Sequence, residues 1–170
     1  VSRNKLFIDP GLDGAGAAHF LGKKFVHANS FYSKEGRFED AALHIAKQLR
    51  DVYGKRQDIV VVEFPCFFPG RVGYASAARG DILRLAYSIG VIQGVLRPKK
   101  FVCVPVREYK GQLPKSVAKR RVKQVLRSKV CRIQGRASHA WDAAYIGVWW
   151  HRPEGKAWRA ENLVSRRSRS

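Results

Sequence analysis

No methionine occurs in this chain, and cysteine is sparse, with Cys66, Cys103 and Cys131 its only thiols. The three lie far apart and show no CxxC spacing, which argues against structural zinc. An odd number of scattered thiols suits a reducing cytoplasm better than a disulfide framework. No uninterrupted apolar run is long enough to cross a bilayer, and no lipidation motif is visible, so a membrane surface is the weaker partner. No signal-like segment opens the chain: Val1 to Lys5 lead directly into strand-like sequence, and a cytoplasmic location is expected. No internal repeat is found. Acids are scarce as well, 13 against 33 Lys and Arg, giving a formal charge of +20 and a pI near 10.5. Self-repulsion of that size is tolerated when a polyanion neutralises it, so nucleic acid is the leading partner. Enough apolar sequence is present, 45% of 170 residues, for one domain with a proper core.

The chain is organised around Lys5-Leu6-Phe7-Ile8-Asp9-Pro10-Gly11-Leu12-Asp13-Gly14. Leu6 to Ile8 have the composition of a buried strand, and Pro10-Gly11 stops it sharply. Asp9 is thereby expected at the lip of a sheet, with glycines at 11, 14 and 16 leaving backbone room for a phosphate or a metal-bound ligand. Ala15 to Phe20 and Lys23 to His27 read as two further strands, followed by a loop over 28–37. Ala42, Ile45, Ala46, Leu49, Val52 and Tyr53 recur at helical spacing, predicting a helix over 38–53 ended by Gly54. Ile59 to Phe64 is a β-branched run typical of a strand buried on both faces, and it delivers Glu63 to its end.

After a loop over 65–73, a helix is expected over 75–96. Ala78, Ile82, Leu85, Ala86 and Ile89 form one apolar face, and Leu83, Tyr87, Val91 and Val95 a second. A helix apolar on two faces is deeply buried or serves a subunit interface. Phe101 to Val106 is the next strand, Pro114 opens a helix to Arg127, and Ser138 caps a last helix through Trp150. Residues 1–150 form the domain, and 151–170 read as a basic tail. Strands grouped first, then alternating with helices, indicate an α/β sheet.

Asp9 and Glu63 both fall at the C-terminal ends of core strands, where open α/β sheets place their sites. His139 and Asp142, three apart, share one face of the last helix near its start. Ala140, Ala143, Ala144 and Gly147 would let that helix press against the sheet. Clustered carboxylates are costly unless a cation bridges them, and hard oxygen ligands favour Mg²⁺ or Mn²⁺. Two such ions would clamp the attacking and leaving oxygens of a phosphodiester. Taken singly, Asp142 reads as a first-turn residue on the helix dipole and His139 as a surface histidine. It is the set of four that carries the chemistry.

Ile8-Asp9-Pro10-Gly11, Val62-Glu63, Ala77-Ala78-Arg79-Gly80 and His139-Ala140-Trp141-Asp142-Ala143-Ala144 resemble, in order, the four signatures of RuvC-like Holliday junction resolvases. These belong to the ribonuclease H-like superfamily, and the similarity spans about residues 5–150. The resemblance implies a ribonuclease H-like mixed sheet flanked by helices, and places Asp9, Glu63, His139 and Asp142 at the metal-binding catalytic positions. It also implies a homodimer, which fits the doubly apolar helix. Lys115-Ser116 resembles the lysine-serine that starts the family's basic helix, and Lys110 a second lysine near the scissile backbone. The family places a wedge aromatic shortly after the glutamate. Here Cys66 stands near that position, with Phe67 and Phe68 just beyond, either of which would stack on a base. The basic tail is not a family hallmark and points to a phage or organellar relative, which adds an organelle to the expected locations.

Between Arg97 and Arg136 the lysines and arginines are met by a single acid, Glu108. Such a run reads as a surface that tracks phosphates. Lys110, Lys115, Lys119, Arg120 and Lys123 are its expected DNA contacts, with Lys115 also catalytic, and Arg71 in the preceding loop is expected to join them. The resulting expectation is a Mg²⁺-dependent endonuclease that resolves four-way or other branched DNA by paired nicks. Two alternatives stand beside it: a ribonuclease H-type nuclease on RNA–DNA hybrids, and a non-catalytic binder of branched DNA. A sugar-kinase or actin-like ATPase shares the opening Asp-x-Gly strand and ranks last, because no second glycine-rich phosphate loop follows.

Overall fold

The computed structural model of the chain describes residues 3–54, 57–66, 80–111, 113–134 and 138–164. Phe67, Phe68, Arg71 and the helix start Ala77–Arg79 lie outside the described residues, as do Arg166, Arg167 and Arg169. Five strands form one mixed sheet: β1 (Asn4–Pro10), β2 (Gly14–Leu21), β3 (Lys24–Tyr32), β4 (Ile59–Phe64) and β5 (Phe101–Pro105), in the order β3-β2-β1-β4-β5. The first three pair antiparallel as a meander, because only short turns join them. β4 pairs parallel with β1, and β5 parallel with β4, each after a helical connection.

Side-chain alternation splits the core into two layers. Leu6, Ile8, Val60 and Val62 face the helices α1 (Phe38–Tyr53) and α2 (Asp81–Leu96), meeting Ile45, Leu49, Ile89 and Ile92. Phe7, Ala18, Phe20 and Val61 face the other way, toward α4 (Lys115–Leu126) and α5 (His139–His151). Between β5 and α4 lies a single helical turn, α3 (Val106–Tyr109). As the sequence led us to expect, Ala140, Ala143 and Ala144 are wholly buried against the sheet. The approach is closest where side chains vanish: a Cβ on Gly147 would lie 2.4 Å from the Phe20 ring.

Several boundaries differ from the sequence expectation. β3 continues through residues 28–32, expected as loop, because Ala28 and Phe31 are buried and every one of these residues pairs with β2. The strand expected to Val106 ends at Pro105, and Val106 begins α3. A 3₁₀ helix covers Arg127–Arg132. The expected basic tail opens with a further helix, α6 (Pro153–Val164), whose Trp158 packs against Trp149 and the core. Ser138 supplies no side-chain cap to α5. On α2, Ile89 of the first expected face is buried, with Ile92 and Leu96, which belong to neither face. Of the second face, Val91 and Val95 pack against the core, whereas Leu83 is 76% and Tyr87 47% exposed.

Candidate active site

Asp9 follows Phe7 by two residues and Glu63 follows Val61 by two, so both carboxylates emerge on the face covered by α5. Ile8 pairs with Val62, which makes Asp9 and Glu63 the next residues on adjacent parallel strands, at their C-terminal ends. Across the meander, Asp9 pairs with Gly16 and Gly16 with Ser30. These three residues form the seat of the α5 N-terminus. The Asp9 Oδ2 lies 2.6 Å from His139 Nδ1. A Cβ on Gly16 would sit 1.9 Å from the His139 carbonyl oxygen. Ser30 Oγ accepts the Ala140 N–H at 3.3 Å, satisfying one of the orphan donors of the first turn. The sheet thus provides the side-chain cap that Ser138 does not.

The room around the glycines goes to protein, which corrects the expectation of space for a ligand. A Cβ on Gly11 would meet His139 Cε1 at 2.9 Å, and one on Gly14 would meet the Phe31 carbonyl at 2.7 Å. They are small so that the helix and β3 come close.

One turn into α5, Asp142 is buried, and its Oδ1 accepts a bond from Lys110 Nζ at 2.8 Å. The residue before that lysine, Tyr109, donates its hydroxyl to Glu63 Oε2. Every acid therefore has a protein partner: Asp9 with His139, Glu63 with Tyr109, Asp142 with Lys110. Burial first, then the charge of Asp9, pushes the Glu63 carboxyl up to about 8, against the pull of the Tyr109 hydroxyl and Lys110. Burial also raises Asp9, aided by Asp142 and opposed by His139 and Lys110. The bond to Asp9 holds the His139 imidazole above its usual range despite burial. Burial pulls the Lys110 ammonium down, but its bond and attraction to Asp142, with Glu63 and Asp9, leave it raised. Lys110 is the positive charge that all three acids share.

Three carboxylates and an imidazole form a donor set suited to a hard divalent cation. Burial and mutual repulsion, which raise Asp9 and Glu63, are what such a cation relieves. Among the described residues no three of His, Cys, Asp or Glu converge on one point as they stand, each acid being turned to its protein partner. The donors fit the ion in kind, and the positive charge now among them is that of Lys110, bonded to Asp142 and attracted to Glu63 and Asp9.

Of the expected DNA contacts, Lys115, Lys119, Arg120 and Lys123 are exposed along α4, whose Ala118, Val122 and Leu126 pack inward. Lys115 reaches the site's edge, its Nζ 3.4 Å from Ser138 Oγ. Lys119 Nζ rests 4.6 Å above the Trp141 ring. Lys110 is turned inward instead, its side chain only 15% exposed. Sequence reasoning missed Tyr109 and Ser30. Tyr109 was findable as a hydroxyl-bearing aromatic beside Lys110 just past a core strand, whereas Ser30 was hidden by reading 28–37 as a loop.

No protein-family model and no curated protein sequence matches the chain. Solved structures do. Thermus thermophilus RuvC in complex with a Holliday junction substrate superposes with a TM-score of 0.66 at 18% identity, covering 95% of this chain and 97% of that one. Thermus thermophilus RuvC by itself gives 0.58 at 16%, covering 93% and 95%. The yeast mitochondrial Holliday junction resolvase Ydc2 gives 0.51 at 12%, covering 97% and 84%. The five-stranded mixed sheet flanked by helices agrees with these likenesses over nearly the whole length: the chain has the ribonuclease H-like fold seen in these structures.

Proposed function

We propose that this protein is a divalent-metal-dependent, structure-selective DNA endonuclease that resolves four-way junctions by paired phosphodiester hydrolysis. The observation that carries the reading is the gathering of Asp9, Glu63, Asp142 and His139 at one end of the sheet, beside the cationic face of α4. A protein that only bound DNA would gain from losing three acids there. The likeness to RuvC determined with a Holliday junction supports the choice of substrate.

In this reading Asp9, Glu63, Asp142 and His139 hold Mg²⁺ or Mn²⁺, two ions per site, which supply Lewis-acid stabilisation of charge on the phosphodiester oxygens. His139 keeps a proton at Nδ1 against Asp9 and so fixes that carboxylate toward α5. Lys115, at the lip, neutralises phosphate charge, and Lys119, Arg120 and Lys123 carry the backbone away along α4. Lys110 balances the acids from within the site. A homodimer through the exposed Leu83 and Tyr87 of α2 places two sites on opposing strands. Phe67, Phe68 and Arg71 belong to this proposal as junction contacts, at the level of sequence.

Competition separates this reading from a ribonuclease H-type activity. With a labelled four-way DNA junction as substrate in Mg²⁺, unlabelled junction is expected to suppress cleavage at far lower concentration than an RNA–DNA hybrid of equal length. Preferential suppression and cleavage of the hybrid would move the protein to the other class.

A further inference from the structure

The proposed mechanism leaves Tyr109 without a task. Its side chain is 5% exposed, and its ring is gripped from behind by Tyr145 and Trp149 of α5, with centroids 5.9 and 6.0 Å away. The backbone beneath is equally fixed. Lys110 and Gly111 both return their N–H to the Val106 carbonyl, at 3.0 and 3.1 Å. Gly111 has φ of 52°, a left-handed value that glycine adopts without strain. From this rigid base the Tyr109 hydroxyl points at Glu63 Oε2.

Glu63 needs such a partner more than the other acids do. It stands at the open end of β4, next to the exposed Phe64, and its long side chain has several rotatable bonds. Asp9 is pinned by His139, and Asp142 is held in the first turns of a buried helix. We infer that Tyr109 is the positioning residue that aims Glu63 as a ligand for the divalent cation.

This rests on the metal-dependent reading above and adds to it a residue outside the four motifs. A carboxylate oxygen has two lone pairs, so accepting one bond from a neutral hydroxyl leaves it free to ligate. Tyr109 brings no charge, so it orients Glu63 without competing for the site, unlike Lys110. Outer partners of this kind are typically worth about 10–100-fold in metal affinity.

Tyr109→Phe keeps the ring and removes only the hydroxyl. Titration calorimetry with Mn²⁺, without DNA, is expected to show affinity falling about 10–100-fold in this variant. Thermal unfolding in EDTA confirms that it remains folded, and junction binding in EDTA stays at the wild-type level. In a Glu63→Gln background the same substitution is expected to change Mn²⁺ affinity no further, since it acts through Glu63. Wild-type Mn²⁺ affinity in Tyr109→Phe would overturn the inference alone, leaving the tyrosine as core packing. An additional loss in the Glu63→Gln background would overturn it too. If the unaltered chain binds no Mn²⁺, the metal-dependent reading fails and takes the inference with it.

Discussion

Gly16→Ala tests the seat of helix α5 directly. A Cβ at this position would lie 1.9 Å from the His139 carbonyl oxygen and 2.1 Å from its carbon, where ordinary contact begins at 3.4 Å. The obstacle is backbone, so no rotamer relieves it. Either the α5 N-terminus lifts by about 1.5 Å, the difference between 3.4 and 1.9 Å, or the strand bends away. The bond of 2.6 Å between Asp9 and His139 does not survive a shift of that size. Overpacking of this kind costs about 1–3 kcal/mol of stability. A misplacement of about 1 Å at a catalytic constellation costs about 100-fold in rate. Urea denaturation should therefore show a modest loss, while junction cleavage under single-turnover conditions falls by two orders of magnitude. Gly36→Ala, where a Cβ meets nothing within 4 Å, is the matched control and should be silent in both assays. A Gly16→Ala protein that folds and cleaves like the wild type would refute the seat.

Three further outcomes follow from the same geometry. Glu63 has its carboxyl raised from 4.5 to about 8 in the metal-free fold, so between these values the folded state binds a proton that the unfolded state has lost. Metal-free stability should then decline from about pH 4.5 to 8, by on the order of 3–5 kcal/mol. Denaturant titrations across this range should show the slope flattened in Glu63→Gln. Replacing Lys119, Arg120 and Lys123 together by Ala should reduce the slope of log affinity against log salt by about 3, measured by fluorescence anisotropy on junction DNA; an unchanged slope would place the DNA elsewhere. Leu83→Asp puts a charge on the exposed α2 face and should shift a dimer to monomer in sedimentation velocity, with metal-free thermal stability of the monomer little changed.

The sequence was most informative where burial alone decides structure. The Leu6–Ile8 and Ile59–Val62 runs read as strands because nothing else accommodates such apolar density, and their period of two places Asp9 and Glu63 on one face. The alanines of α5 were legible as a close-packing face for the same reason. Elements held by specific tertiary bonds were not. β3 passes through Asn29 and Ser30, polar residues that read as loop, and is a strand because β2 pairs with it and α5 takes its serine. α3 is a single turn with no periodicity to detect. The helix in the expected tail depends on Trp158 reaching Trp149. At the site, Asp9, Glu63, Asp142 and His139 were readable as one cluster with Lys110 beside it, but the bonds from Lys110 to Asp142 and from Tyr109 to Glu63 were not. The glycines were read as space for a ligand, when the space is filled by the helix that carries His139 and Asp142 at Gly11 and Gly16, and by β3 at Gly14.

The most direct measurement is cleavage of a labelled, immobile four-way junction in Mg²⁺, with and without EDTA, beside Asp142→Asn. Symmetric nicks on opposing strands, abolished by EDTA and lost in the variant while junction binding persists, are the predicted result. Tight junction binding with no cleavage in Mg²⁺ or Mn²⁺ would contradict the account and leave a DNA-binding protein whose acid cluster serves another purpose.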